Sequence, residues 1–599
     1  MDRNQATGLI LFAAVLLVYS FFFASSPEPQ LQDTTDQTTQ SSPIGQTSTD
    51  VVLEIQEPDS LMDIRAQNQF GVFAGLTRGN EEEVILENDK MIVTFSSKGA
   101  EIKKVILKDY LTWDKKPLVI LDENSSEINY QIQTGKGLLS LNDFYFVPKT
   151  SSQDSAGVKT TKLEFVAQAG SGKISRTYSI KDGTYLVDKA LDFSGLSGQI
   201  VDSKVNILWE DRLVKQEEDI EESRRKTNIN FYTVAGDYDY LSLTSDSAED
   251  RVTDPVKWVS FSQRFFTSSI IADSQFNEAD LNQVTPKDTL SVKNVKAALV
   301  LPLENGQANV TYFFGPNNYK LLKTITPGFE KNVDMGYFFV SWVNKYIIVN
   351  LFQFLEQYFT NYGIIIILIV LIIKIFLFPL TYKSYVGMAK MRVIKPEIDE
   401  LKEKYKDDPT KQQQEQMKLF GQLGVSPISG CLPMVLQMPF LFAMFFFFPN
   451  SIELRQESFL WAHDLSTYDS IIRLPFTIPF YGSHVSLFTL LMTVSQIAYT
   501  RFNNQLTAAT GPMKNLGYIM PIGFMFVLNS FPAALSFYYF VSNMVTFGQQ
   551  ALIKLFVDDA KIREKVEKSK IKNVNKKKST FQQKLEDAMK SAEASKKKK

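Results

Sequence analysis

Between Ile364 and Leu380, sixteen of seventeen positions suit lipid, and the exception is Lys374. Four further runs of this kind follow, at 431–448, roughly 485–500, 516–531 and 533–553, and one precedes them at 8–24. At 1.5 Å rise per residue, each is about long enough to cross a hydrocarbon core of about 30 Å. The first run is long for a signal-peptide core and lacks a good cleavage site, so it reads as a retained anchor. From about 84 to 325 the pattern changes to short alternating strands such as "MIVTFSS" (91–97) and "KVNILWE" (204–210), separated by Gly, Asn and Asp. Many short β runs without a helical period predict a large antiparallel sandwich. The expected fold is therefore a multi-pass α-helical membrane protein with six transmembrane helices and one large all-β sandwich domain.

The segments between these parts have their own signatures. Residues 25–60 are rich in Ser, Thr, Gln, Pro and Asp and cannot bury enough surface to order, which predicts a flexible tether extending toward 83. Residues 336–360 mix aromatics with Lys345 and Glu356, the signature of an amphipathic helix lying in a membrane interface. Segment 383–430, inside the 361–553 core, reads as a helical hairpin turning at Asp408-Pro409.

Charge sets the orientation. The 383–430 loop carries nine Lys/Arg, whereas 450–484 carries only Arg455 and Arg473. The positive-inside bias places the first loop in the cytoplasm and the second outside. Counting through six spans puts both termini in the cytoplasm and the β domain at 84–335 outside. The net charge of −2 hides a basic end: residues 554–599 hold 16 Lys/Arg against 7 Asp/Glu. Such a tail suits a polyanionic partner, either RNA or an anionic lipid surface.

Candidate chemistry is sparse. One cysteine and two histidines leave little for metal or triad chemistry, and no nucleotide-binding loop is present, so no catalytic residue, cofactor or metal is expected. Lys374 is the informative residue, because a charge at the centre of a membrane helix costs about 2.5–3.5 kcal/mol. The other spans carry no interior Asp, Glu, Lys or Arg, but the late ones carry Gln437, Ser495, Gln496, Ser542, Asn543, Thr546 and Gln549. Snorkelling toward the cytoplasmic end is one outcome for Lys374. A polar, water-accessible cavity that receives hydrophilic parts of another chain is the other. An anion or small-solute transporter using Lys374 is an alternative function, although coupling carboxylates are missing.

Four ordered segments resemble the YidC-type membrane protein insertases: "FPLTYKSYVGMAKMRVIKPEI" (378–398), "GVSPISGCLPMVLQMPFLFAMF" (424–445), "SIELRQESFLWAHDLS" (451–466) and "FPAALSFYYFVSNMVTFGQQ" (531–550). "VKWVSFSQRFFTSSIIA" (256–272) is similar to the late part of the family's external domain in bacteria with two membranes. The resemblance implies a five-helix core around a hydrophilic groove, a periplasmic sandwich of mutarotase-like shape without required activity, and an inner-membrane location. It implies insertion of nascent membrane proteins, alone or with the Sec translocon, with the ribosome held by the basic tail and lipids around the core. The family's groove arginine falls on Lys374, and its threonine one turn earlier is Val370 here. Client contacts in the family map onto Gln437, Met438, Tyr538 and Tyr539, and Asn543 completes the expected groove set.

Overall fold

The computed structural model describes residues 59–573 apart from 156, 197, 407, 424, 426–431, 480 and 508–511. The expected anchor at 1–24, the linker up to 58 and the tail beyond 573 lie outside the described residues. The chain divides into two compact units, Met1–Val333 and Asp334–Lys599.

The first unit is all-β, with antiparallel sheets of four, nine and six strands. Its strands alternate as the pattern requires: along Ile200–Val214, the positions Val205, Ile207, Trp209, Asp211 and Leu213 are buried and their neighbours are more exposed. The buried faces of the nine- and six-stranded sheets meet. Trp209 of the smaller sheet packs on Phe261 of the larger at 4.4 Å, and Tyr130 OH lies 2.8 Å from Tyr312 OH across the same gap. This is the expected sandwich.

Two features were not expected. Packed structure begins before residue 83: helix α1 (Asp59–Phe70) leads into a 3-10 turn over Gly71–Thr77, whose Phe73 stacks on Phe144 at 5.8 Å while Leu76 is buried. The linker is thus shorter than its composition suggested, because Phe70, Phe73 and Leu76 supply apolar surface that the preceding stretch lacks. The sandwich core also encloses ions. Lys189 Nζ lies 2.9 and 3.1 Å from the two oxygens of Glu101, which also pairs with Arg176 and accepts a hydrogen bond from Tyr178 OH at 3.0 Å. The Lys189 amine sits 3.3 Å from the Tyr130 ring centroid, a cation–π contact in a desolvated site.

The second unit is mainly helical. Its long helices are α2 (Phe338–Glu356), α3 (Tyr362–Val393), α6 (Leu432–Asn450), α7 (Leu487–Thr507), α8 (Pro512–Leu528) and α9 (Ala533–Phe556). They fall on the apolar runs and on the interfacial stretch. Among the described residues, α2 and α3 are long and apolar enough by length and composition to cross a membrane. Their geometry separates them. Near its start, its middle and its end, α2 touches the same short piece of α6: Tyr337 meets Phe446, Asn344 donates to the Ala443 carbonyl at 3.0 Å, and Phe352 meets Phe447. A helix whose length contacts only about one turn of its neighbour lies across it, at the 450 end. The π-turn at Asn344–Ile348 occurs where buried Asn344 bridges Met335 and Ala443.

Helix α3 is capped by Asn361, whose side chain accepts from Ile364 N. At 32 residues it is about 48 Å long, well beyond a hydrocarbon core. It runs past the apolar stretch to Val393 and breaks at Ile394–Lys395, before Pro396, so the stretch expected as the first arm of the hairpin is divided between the end of α3 and the next helix. Helices α4 (Lys395–Lys404) and α5 (Pro409–Leu423) form the expected hairpin. The hairpin does not stand alone. Helix α10 (Asp559–Asn573), from the basic tail, places Ile562 and Val566 in one apolar cluster with Ala389, Ile394, Ile398, Phe420, Leu423 and Val425.

Candidate functional site

Helices α3, α6 and α9 converge on Lys374. The side chain lies on the buried stripe of α3 with Ile366, Val370, Ile373 and Leu377, and is 6% exposed. Its amine donates to Gln437 Oε1 at 2.9 Å and to Thr546 Oγ1 at 2.7 Å. The Gln437 amide then donates to Ser542 Oγ at 3.0 Å, Thr546 Oγ1 donates to the Ser542 carbonyl at 2.7 Å, and Gln549 Nε2 donates to the Lys374 carbonyl at 3.0 Å. Ser542, Thr546 and Gln549 stand at i, i+4 and i+7, one face of α9, so a single helix offers three polar groups to one neighbour.

This arrangement answers what Lys374 faces. The amine is held inside the bundle by side chains and does not extend along α3 toward the helix end. Both of these amine partners are neutral, and no ion pair to a carboxylate joins them among the described residues. Hydrogen bonds to a charged group are worth about 1.5–3 kcal/mol each, so two of them are of the size that offsets burying a lysine at this depth. The result is a buried amine that is hydrogen-bonded to neutral groups. It is also enclosed, at 6% exposure.

The other candidates separate. Gln437 joins Lys374 directly. Asn543 turns to α7, donating to Ser495 Oγ at 2.9 Å, and Ser495 bonds back to the Met492 carbonyl. Tyr539, half-buried, donates to the Leu441 carbonyl at 3.3 Å. Tyr538 is buried between Phe448 and Tyr539, with ring centroids at 5.8 and 5.6 Å. Met438 is exposed. Thr546, Ser542 and Gln549 belong to the Lys374 network more directly than Asn543, Tyr538 or Tyr539; their helical spacing in the sequence was the signal for it.

Family comparisons cover both units. Residues 83–349 match the model of the YidC periplasmic domain, and residues 354–561 that of the 60Kd inner membrane protein. The chain is 42% identical over 607 residues to the membrane protein insertase YidC of Amoebophilus asiaticus, covering 100% of both chains. It is 40% identical over 616 residues to the YidC of Cytophaga hutchinsonii, covering 99% of this chain and 98% of that one. A crystal structure of an active YidC insertase with its first transmembrane domain resolved is similar at 19% identity and a TM-score of 0.32, over 82% of this chain and 97% of that one. With two curated relatives at 40% identity or more along their whole length, the chain belongs to the YidC membrane protein insertase family, as an inner-membrane, non-enzymatic protein with a large periplasmic β domain.

Proposed function

We propose that the protein inserts newly made membrane proteins through the space between α3, α6 and α9, with Lys374 as the polar handle. The supporting observation is the network itself: a buried amine with neutral partners and no carboxylate beside it among the described residues. A client hairpin approaching from the cytoplasm brings polar backbone and side chains that cost several kcal/mol each when unsatisfied in lipid. Exchanging Gln437 and Thr546 for client carbonyls or carboxylates keeps the amine bonded while lowering that cost. The apolar client helix then leaves past Met438 and Tyr539 into lipid, driven by apolar burial. Tyr538, packed behind them, supports Tyr539 by ring contact and does not meet the client in this conformation. Asn543 holds α9 to α7 while α6 moves.

This reading includes six membrane spans, with α3, α6, α7, α8 and α9 following the N-terminal anchor, and both termini in the cytoplasm. Helix α2 lies in the periplasmic interface: it crosses α6 near one end and leaves Phe338 and Trp342 exposed at 94% and 56%, aromatic residues suited to the headgroup region. The basic tail engages the ribosome, and cooperation with the Sec translocon and action on lipoproteins fall within the same function.

Site-specific photo-crosslinking to ribosomes stalled on a short membrane-protein nascent chain tests the route. A crosslinkable residue at Met438 or Tyr539 is expected to capture the chain, whereas one at Ile375, exposed on the outer face of α3, is expected to capture lipid. Equal capture at all three sites, or none at Met438 and Tyr539, overturns it.

A further inference from the structure

Between α6 and α7 the sequence showed only an external loop, but the chain there builds a β-hairpin from Ile472–Ile478 and Gly482–Val485. Its position is fixed at both ends. At the base, Asn529, just past α8, accepts from Ser486 N at 3.0 Å and donates to the His484 carbonyl at 2.8 Å. Near the tip, Asn529 donates to the Tyr481 carbonyl at 2.9 Å, and the Tyr481 ring meets Phe526 of α8 at 5.4 Å. Base and tip are thus tied to the same helix end. The second strand is thereby held against the ends of α7 and α8.

The first strand alternates in sequence, with Ile472, Leu474, Phe476 and Ile478 apolar between Arg473, Pro475 and Thr477, and its pairing with the second strand shifts between Arg473 and Ile478. In a soluble hairpin the apolar side would be buried, yet Ile472 and Phe476 are 53% and 60% exposed. The hairpin that carries them is held to α8 by the Tyr481–Phe526 contact, and α8 itself exposes Ile519, Met520, Ile522 and Phe524. Exposed large apolar side chains gathered in this way mark a contact with membrane or protein. Attachment of the hairpin to the end of a helix read as spanning, with its own apolar side chains exposed, selects the membrane.

We infer that the 472–485 hairpin is a membrane-interface anchor, laid in the periplasmic headgroup region with Ile472 and Phe476 turned into the acyl boundary. The inference rests on the reading that α7 and α8 span the bilayer. Its consequence is mechanical. The hairpin pins the turn between α8 and α9 to the outer leaflet, so α9, which carries Thr546 and Ser542, has a fixed outer end while its cytoplasmic half yields to a client.

Spin labels give the test. The chain has a single cysteine, Cys431, so a Cys431→Ser background accepts one label at a time. Labels at Phe476→Cys, Thr477→Cys and Ile375→Cys in proteoliposomes are compared for collision with oxygen, which concentrates in lipid, and with a water-soluble nickel chelate. The expected result is that 476 and 375 favour oxygen by several-fold and 477 favours the chelate. A chelate-accessible 476 beside an oxygen-favouring 375 overturns the anchor and leaves the spanning reading standing. A 476 shielded from both reagents means that protein covers it, which also overturns the anchor. If 375 itself favours the chelate, the spanning reading fails and the anchor with it.

Discussion

A lysine deep in an apolar helix lowers its cost either by reaching water at the helix end or by finding acceptors nearby, and Lys374 takes the second course. The hydrogen bonds to Gln437 and Thr546 offset most of its burial, so Lys374→Met is expected to change unfolding stability by less than about 1–2 kcal/mol. Insertion of clients with polar or acidic flanks should fall at least several-fold, read by protease protection of the translocated segment, while Lys374→Arg retains most activity. Equal insertion by the Met variant would remove Lys374 from the mechanism. A second buried lysine behaves differently. Lys293, inside the β sandwich, has an amine with no hydrogen-bond partner among the described residues, and burial pulls it down to about 8 from its ordinary 10.5. Between about pH 8 and 10.5 the unfolded chain binds the proton that the folded one has released, so this residue makes stability rise with pH across that window. Lys293→Met should stabilise the domain at pH 7 and flatten the rise. Amide exchange of Ile200–Val214 and Ser291–Pro302 in the full chain, followed from pH 7 to 10 after correction for intrinsic rates, measures both effects.

At the scale of elements, amphipathic stripes were readable but their partners were not. The 383–430 hairpin looks solvated along the chain because its charges are mixed; its apolar stripe is covered by α10, some 150 residues later. Phe420 is 5% exposed in that cluster, and Arg563 lies 3.9 Å from Glu397 at its rim, an exposed pair worth little. Phe420→Ala removes an aromatic side chain from a small cluster, at a cost of about 3–5 kcal/mol where packing is full. The expected outcome is release of α10, seen as at least tenfold faster amide exchange over 559–573 with α3 unchanged. Unchanged exchange there would mean that α10 is held by other contacts.

For the molecule as a whole, the positive-inside bias makes a definite claim about sides. In the Cys431→Ser background, Ser470→Cys is expected to react with a membrane-impermeant maleimide added from the periplasmic face. Lys411→Cys should react only after the membrane is opened; both positions are exposed. The reverse pattern would invert the topology and place the β unit on the wrong side for a periplasmic domain.

The sequence by itself determined the parts: the apolar runs that became α3, α6, α7, α8 and α9, the alternating strands of the sandwich, and a lone lysine, Lys374, within an apolar run. Period and composition are local properties, and in segments read as spanning lipid they are strict, since every backbone group in lipid must bond within its own helix. Only the tertiary structure decided which groups meet. Gln437 reaches Lys374 from 63 residues away and Thr546 from 172, while Asn543, three positions before Thr546, faces a different helix. Glu101, Arg176 and Lys189 converge in the sandwich core from separate strands and a loop. The interfacial stretch and the 472–485 hairpin likewise took their places from contacts with distant helix ends. Such pairings depend on helix rotation and sheet register, which are set by packing across the whole unit and leave no mark in the residues next to them.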